Sequence, residues 1–212
     1  MIPDPIGEAV KRVHEGGMIA YPTETVWGIG ADATSDAAIE RLRQWKGRRE
    51  DVPISILVAG IADLEVLGFE VGESAQKLAG AFWPGPLTLV IPCHRAFARG
   101  IAREDGAVGV RCSAHPLAGA FARRCEAKGV GPLTSTSLNR TGESPALTRG
   151  EVLAAVGSDP DGPQLIEIDA AEAGGDTETT VVDVSGTQPR VLRWGSLGSG
   201  DLEPVLREVF PA

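Results

Sequence analysis

The chain has 212 residues, of which 42% are hydrophobic and only 5% aromatic, so it can bury a sizeable core built mostly from Val, Leu, Ile and Ala. Its net charge of −9, from 20 Lys and Arg against 29 Asp and Glu, argues against a broad cationic surface for nucleic acid or acidic lipid. Any anionic ligand must then be held by a few placed cations, and 27 glycines with 15 prolines point to many tight turns rather than a helical bundle.

Ile6, Ala9, Val10 and Val13 recur at helical spacing, and Gly16 with Gly17 closes that helix. The run "MIAY" reads as a strand. It leads into "PTETVWG", where Pro22 disfavours a helix start and Thr23, Glu24 and Thr25 are too polar for a buried strand. The next stretch, "GIGADA", fits Gly-x-Gly-x-x-Ala at Gly28, Gly30 and Ala33. A dinucleotide fold, however, wants a strand running straight into the first glycine and an acidic residue closing the following strand. Here "PTETVWG" intervenes and "ISILVAG" ends without an acid, so the dinucleotide reading is set aside. The sequence also has no Gly-x-Ser-x-Gly elbow and no P-loop lysine.

A second helix starts after Ser35, a suitable N-cap, and shows Ala38, Ile39, Leu42 and Trp45 on one face. "ISILVAG" is a buried strand, followed by helical "IADLEVLG" and "ESAQKLAGAF". After the "WPGP" turn come strands "LTLVIP" and "AVGVR", then the helix "HPLAGAFARRCEAKG" with Pro116 in its first turn. "GPLTSTS" is a short strand entering a polar loop, and "RGEVLAAVG" a helix. Strands "QLIEID", "TTVVDV" and "RVLRW" and a last helix around "LEPVLREV" complete the pattern, with "SDPDGPQ" and "AAEAGGDTE" as loops. About seven strands and six helices predict an α/β domain, and the late clustering of strands predicts a mixed sheet. No repeat divides the chain, so residues 1–212 are expected to form one domain.

Cys93, Cys112 and Cys125 are widely spaced, without a Cys-x-x-Cys. Cys112 with His115, and Cys93 with His94, hint at metal, but His14 is the only other histidine, and a zinc site needs about four paired ligands. Three ordinary thiols in a reducing cytoplasm, with no metal site, is the expectation. The N-terminal segment "MIPDPIGEAV" has no secretory pattern, and no apolar run approaches the ~20 residues of a membrane helix.

The chemistry is expected in polar segments at strand ends. "WKGRRE" sets Lys46 and Arg48 just beyond a helix, with Gly47 between them to let the backbone approach a bound group. Such cations often only complement the helix dipole. Arg111 closes "AVGVR" and Arg193 sits in "VLRWG"; a charge in an apolar strand is costly unless paired, and Asp183 or Glu24 could serve. "LTSTSLNRTG" adds Thr134, Ser135, Thr136, Ser137 and Asn139. Together, four cationic side chains and a hydroxyl–amide loop suit a pocket for a polyanion such as a nucleoside triphosphate.

"YPTETVWGIGADA", "KGR" followed by "PISILV", "FWPGPLTLVIP", "VGVRCSAHP", "TSTSLNRTGESP" and "TTVVDVSG" with "VLRWG" occur in the order and spacing of the YrdC/TsaC family, which the chain resembles from about residue 8 to residue 196. Ending soon after "RWG", it resembles the short, single-domain form. The resemblance implies a twisted mixed α/β sheet with flanking helices and a large open cleft. It implies synthesis of threonylcarbamoyl-AMP and pyrophosphate from L-threonine, bicarbonate and ATP, with Mg2+ carried on the ATP. A partner transferase would then pass the threonylcarbamoyl group to tRNA.

By position, Thr25 matches a contact to the amino acid and Arg111 the arginine at its carboxylate, with Ser135 and Thr179 also on the substrate side. Lys46 and Arg48 match a Lys-x-Arg pair facing the ATP phosphates and carrying the catalysis. Ser137 and Asn139 match a Ser-x-Asn nucleotide contact, and Arg193 an arginine near the phosphates. The chain departs from the family pattern at Trp27, Val52, Ala107, Leu138 and Trp194. A second reading is therefore a divergent paralogue that binds RNA, or one that adenylates carbamoyl phosphate or another small carbamate. The net charge of −9 counts against RNA.

Overall fold

The computed structural model describes residues 4–157, 159, 161–166 and 173–209. Asp4 opens helix α1 (Pro5–His14) by accepting a hydrogen bond from Gly7 N at 2.9 Å, and Pro5 takes the first turn, where no N–H is needed. Strands β1 (Ile19–Tyr21) and β2 (Gly28–Gly30) follow, then α2 (Asp36–Lys46), capped by Ser35 as expected. Next come β3 (Ser55–Leu57), the short α3 (Ala62–Val66), α4 (Glu73–Phe82) and the cis Trp83–Pro84 turn. β4 (Leu87–Pro92) and β5 (Ala107–Arg111) form a long antiparallel pair. α5 (Pro116–Ala127), β6 (Leu133–Ser137) and α6 (Arg149–Val156) follow, with α6 closed at its start by a Thr148–Glu151 capping box. β7 (Gln164–Leu165), β8 (Thr180–Asp183), β9 (Arg190–Arg193) and α7 (Ser199–Val209) complete the described chain. The strand expected over "QLIEID" is observed at Gln164–Leu165; Glu167 to Asp169 lie outside the described residues.

The strands form one 9-stranded sheet in the order β7-β1-β2-β6-β3-β5-β4-β8-β9. The β1–β7, β3–β5 and β4–β8 pairs are parallel and the rest antiparallel, so the expected mixed sheet is observed. α1 packs against α5 and β1, α4 against α7 and β4, and α6 against β7. The core is aliphatic, as composition required: Ile29, Ile56, Leu89, Val108, Val110 and Leu133 are buried in it.

The sequence reading missed β2, which lies in "GIG", the stretch set aside as a dinucleotide decoy. Its glycines exist for Tyr21. A Cβ on Gly28 would lie 3.0 Å from Tyr21 Cζ, and one on Gly30 3.2 Å from Tyr21 Cε1. The bare backbone lets the phenol lie flat against the strand and donate to Thr134 O at 3.1 Å. Two glycines of three leave no apolar alternation to read.

Register builds the site. β6 lies between β2 and β3, which pairs Gly28 with Ser137 and Ser55 with Ser135. Arg111 at the end of β5 pairs with Thr88 of β4, and β4 aligns in parallel with β8, placing Thr88 Oγ1 2.9 Å from Thr179 Oγ1.

Candidate active site

A cleft of about 290 Å³ opens where these registers meet. Thr25, Arg48, Arg111, Ser135, Ser137, Thr179 and Arg193 all line it, so residues far apart in sequence share one hollow. Lys46 and Asn139 do not line it.

At one end, Arg111 organises the "PTET" loop. Its Nη2 donates to Thr25 Oγ1 at 2.8 Å and Thr23 Oγ1 at 3.2 Å, and lies 3.0 Å from Glu24 Oε1. Thr23 Oγ1 also donates to Val26 O at 2.6 Å and sits 2.9 Å from Thr25 Oγ1. Ser113 Oγ donates to the other Glu24 oxygen. Burial alone would raise the Glu24 carboxyl; the Arg111 charge and the bonds from Ser113 and Arg111 outweigh it and hold the group below the ordinary carboxylate value. Of the two acids offered as partners for the strand arginines, Glu24 is therefore the one that meets Arg111. Arg111 Nε is buried and has no hydrogen-bond partner among the described residues. An unpaired donor there is costly without a ligand.

At the other end stands Arg48, whose Nε donates to Val52 O at 3.2 Å and Nη2 to Pro53 O at 2.7 Å. The loop that receives it is tied down by Arg43, buried beneath and donating to Arg49 O, Glu50 O and Val52 O. Gly47, expected to let the backbone approach a ligand, instead ends α2 in the left-handed region at φ 64°, with nothing within 4 Å of where a Cβ would stand. Arg193 pairs not with Asp183 but with Glu178, Nη1 to Oε2 at 2.9 Å, while its Nη2 donates to Thr179 O at 3.0 Å and Thr179 Oγ1 at 3.1 Å. Asp183 is occupied by Arg103 at 2.7 Å, with Arg190 at 3.6 Å.

Lys46 is 3% exposed. Its Nζ donates to Ser137 O, to Asn139 O at 2.9 Å and to Asn139 Oδ1 at 3.2 Å, and Ser137 Oγ donates to the same Oδ1 at 2.7 Å. In this state Lys46 and Asn139 brace the segment that carries Ser137 from behind the wall. Burial lowers the ammonium from 10.5 to about 8, helped by repulsion from Arg48 and opposed by Glu178. The folded value lies below the unfolded one, so between about 8 and 10.5 the unfolded chain binds more protons and stability rises with pH. Urea titrations at pH 7.5 and pH 10 are expected to show wild type gaining on the order of 2 kcal/mol relative to Lys46→Met across that window. Parallel pH profiles for the two proteins would show the ammonium to be freely solvated.

The charges of the cleft can be assigned one by one. Arg111 is offset by Glu24, Arg193 by Glu178, and Arg103, also in the lining, by Asp105 and Asp183. Arg48 alone among these lining cations meets only carbonyls among the described residues. It is the lining cation in no ion pair among the described residues, although the Glu178 charge reaches it. The sequence reading missed Thr23, Thr88, Arg103 and Glu178 as lining residues. Thr23 stood in the quoted polar loop; Thr88 looks like one residue of an apolar strand, and Glu178 like one of a loop.

Of the departures, Trp27 lines the cleft, Leu138 is buried in the core, and Val52, Ala107 and Trp194 are outside the lining; Trp194 is 55% exposed. Cys93, Cys112 and Cys125 are free thiols, with burial pushing Cys112 up to about 11 and Cys125 to about 12. Among the described residues no group of three or more His, Cys, Asp or Glu side chains could hold a metal ion, and no helix is long and apolar enough to cross a membrane.

A mixed α/β sheet thus carries a cleft whose arginines and hydroxyls suit it, in charge and hydrogen bonding, to small anions. Residues 11–195 match the Sua5/YciO/YrdC family model, described as telomere recombination, and the chain belongs to that family. It is 37% identical to the threonylcarbamoyl-AMP synthase of Pyrococcus abyssi over 95% of this chain and 57% of that protein. It is 42% identical to the threonylcarbamoyl-AMP synthase of Chromohalobacter salexigens over 73% of this chain and 81% of that protein. The crystal structure of P. abyssi Sua5 complexed with L-threonine superposes with a TM-score of 0.85 at 35% identity, covering 95% of this chain and 57% of that one. The chain thus spans little more than half the length of the P. abyssi relative.

Proposed function

We propose that this protein is a nucleotidyltransferase that makes threonylcarbamoyl-AMP and pyrophosphate from L-threonine, bicarbonate and ATP. The observation that carries the reading is the division of the cleft into two anion subsites. One offers the Arg111 guanidinium, whose Nη2 is held beside Thr25 and Thr23, to an amino-acid carboxylate. The other offers Arg48, which makes no ion pair among the described residues, and Arg193 to a triphosphate. Relatives named threonylcarbamoyl-AMP synthase, and a relative's complex with L-threonine, support the same choice.

Bicarbonate and the threonine amine condense to a carbamate with loss of water. A carbamate oxygen then bonds to the α-phosphorus as the bond to the β-phosphate bridge breaks, and pyrophosphate leaves. Arg48 and Arg193 stabilise charge gathering on the departing phosphates, while Arg111, Thr25, Ser135 and Thr179 fix the amino acid in line. Glu24, held ionised by Arg111, orients that arginine and is a poor proton acceptor. Mg2+ would arrive on the phosphates, keeping several waters, and supply further charge neutralisation. Lys46 and Asn139 would hold the Ser137 segment in place or turn toward phosphate once it is bound. The product would pass to a tRNA threonylcarbamoyl transferase, and three free thiols suit a cytoplasmic location.

The test is to incubate the purified protein with ATP, L-threonine and bicarbonate and identify the adenylate by mass spectrometry. Carbamoyl phosphate replaces threonine and bicarbonate in a parallel reaction. An adenylate formed only in the second mixture would overturn the proposal, as would tight, steeply salt-dependent RNA binding without any adenylate.

A further inference from the structure

Among the described residues, Glu178 is the one carboxylate in the cleft lining, and it stands at the phosphate end. Its Oε2 lies 2.9 Å from Arg193 Nη1, its side chain is 36% exposed, and its charge also reaches Lys46 and Arg48, opposing the desolvation of both. Nothing in the proposed chemistry needs a negative group there. A carboxylate among three cations intended for phosphate competes with the ligand for them.

We infer that Glu178 is a resident counter-ion that makes nucleotide capture depend on a divalent cation. The inference rests on the nucleotide-binding reading above. To reach Arg193, a triphosphate must take the place of the Glu178 carboxylate, which is then left beside the phosphates. A bare triphosphate carries about twice the negative charge of its magnesium complex, so it is repelled about twice as strongly at the same distance. The magnesium complex also presents a hydrated cation that the freed carboxylate can face. Glu178 therefore selects the metal-loaded nucleotide without itself joining a protein metal cage. The same carboxylate compensates Arg193, which would otherwise be a second unpaired charge near Arg48.

Calorimetric titration of ATP into wild type and Glu178→Gln, each with excess Mg2+ and with EDTA, measures the effect directly. Gln keeps a hydrogen-bond acceptor for Arg193, and Glu178→Ala serves as a second variant. The ratio of Kd in EDTA to Kd in Mg2+ is expected to be at least about fivefold smaller in both variants than in wild type, mainly through tighter binding of bare ATP. A merely structural role would move both dissociation constants together and leave the ratio alone. Equal ratios in wild type and both variants, with ATP still binding, would overturn this inference and spare the nucleotide reading. Failure of wild type to bind ATP in either buffer would sink both.

Discussion

Arg48→Ala is expected to lower the rate of adenylate formation by about 10²–10³-fold, the usual cost of removing one fixed group that stabilises transition-state charge. The reason lies in the charge assignment of the cleft. Arg111, Arg103 and Arg193 each have a carboxylate beside them, whereas Arg48 hydrogen-bonds only the carbonyls of Val52 and Pro53. Its positive charge is the one least cancelled in the cleft, reached by the Glu178 charge but joined to no carboxylate. Loss of the side chain should leave the fold standing, because the loop below is held separately by Arg43. Arg48→Lys keeps the charge but loses the planar fork, and should fall between the two. The measurement is kcat for adenylate by mass spectrometry, with unfolding midpoints as the control. Wild-type turnover by Arg48→Ala would remove the phosphate role from this residue.

The second large effect is expected at Arg111. Arg111→Ala should abolish measurable L-threonine binding, a loss of at least about 100-fold for a charge-assisted carboxylate contact, and should also destabilise the protein by about 3 kcal/mol. The stability loss arises because Glu24, whose side chain is only 19% exposed, loses its cation and keeps the Ser113 hydroxyl and its own backbone N–H. Its carboxyl should then titrate higher, because the second-largest influence on it has gone. In wild type the group's folded value is depressed. Its contribution to stability is present above the ordinary carboxylate value and is lost as pH falls through the depressed one. The double variant Arg111→Met with Glu24→Gln separates the two losses, recovering most of the stability but none of the threonine binding. Recovery of binding in that variant would place the amino acid elsewhere.

Arg111 was legible because a charge closing the apolar strand "AVGVR" must be paired, and Glu24 was among the few acids near another strand end. The partner of Arg193 was not legible. Asp183 lies in the neighbouring strand at an inviting position, but the β8–β9 register sets it opposite Arg190, Arg103 reaches it from the segment between β4 and β5, and Glu178 is left for Arg193. Spacing places Lys46 and Arg48 together at the end of α2, yet it cannot say that the turn at Gly47 sends one side chain into the cleft and the other behind it. Three-dimensional register decided each of these. The helices and most strands followed from periodicity and caps; β2 did not, because its meaning lies in what Tyr21 needs.

The central place of β6 in the sheet has one more consequence. It is flanked by β2 and β3, both formed from the first third of the chain, while the far wall of the cleft comes from β8 and β9 near the other end. No short contiguous fragment carries both proposed anion subsites, so on that reading a substrate is gripped only once the long-range pairing is complete. Occupancy then acts as a clasp on the entire sheet: ligand at 100 times its Kd would add about 2.7 kcal/mol to global stability. Starved of substrate, the protein would be more open to proteolysis than when it is supplied, which couples its lifetime to the supply of its own substrates.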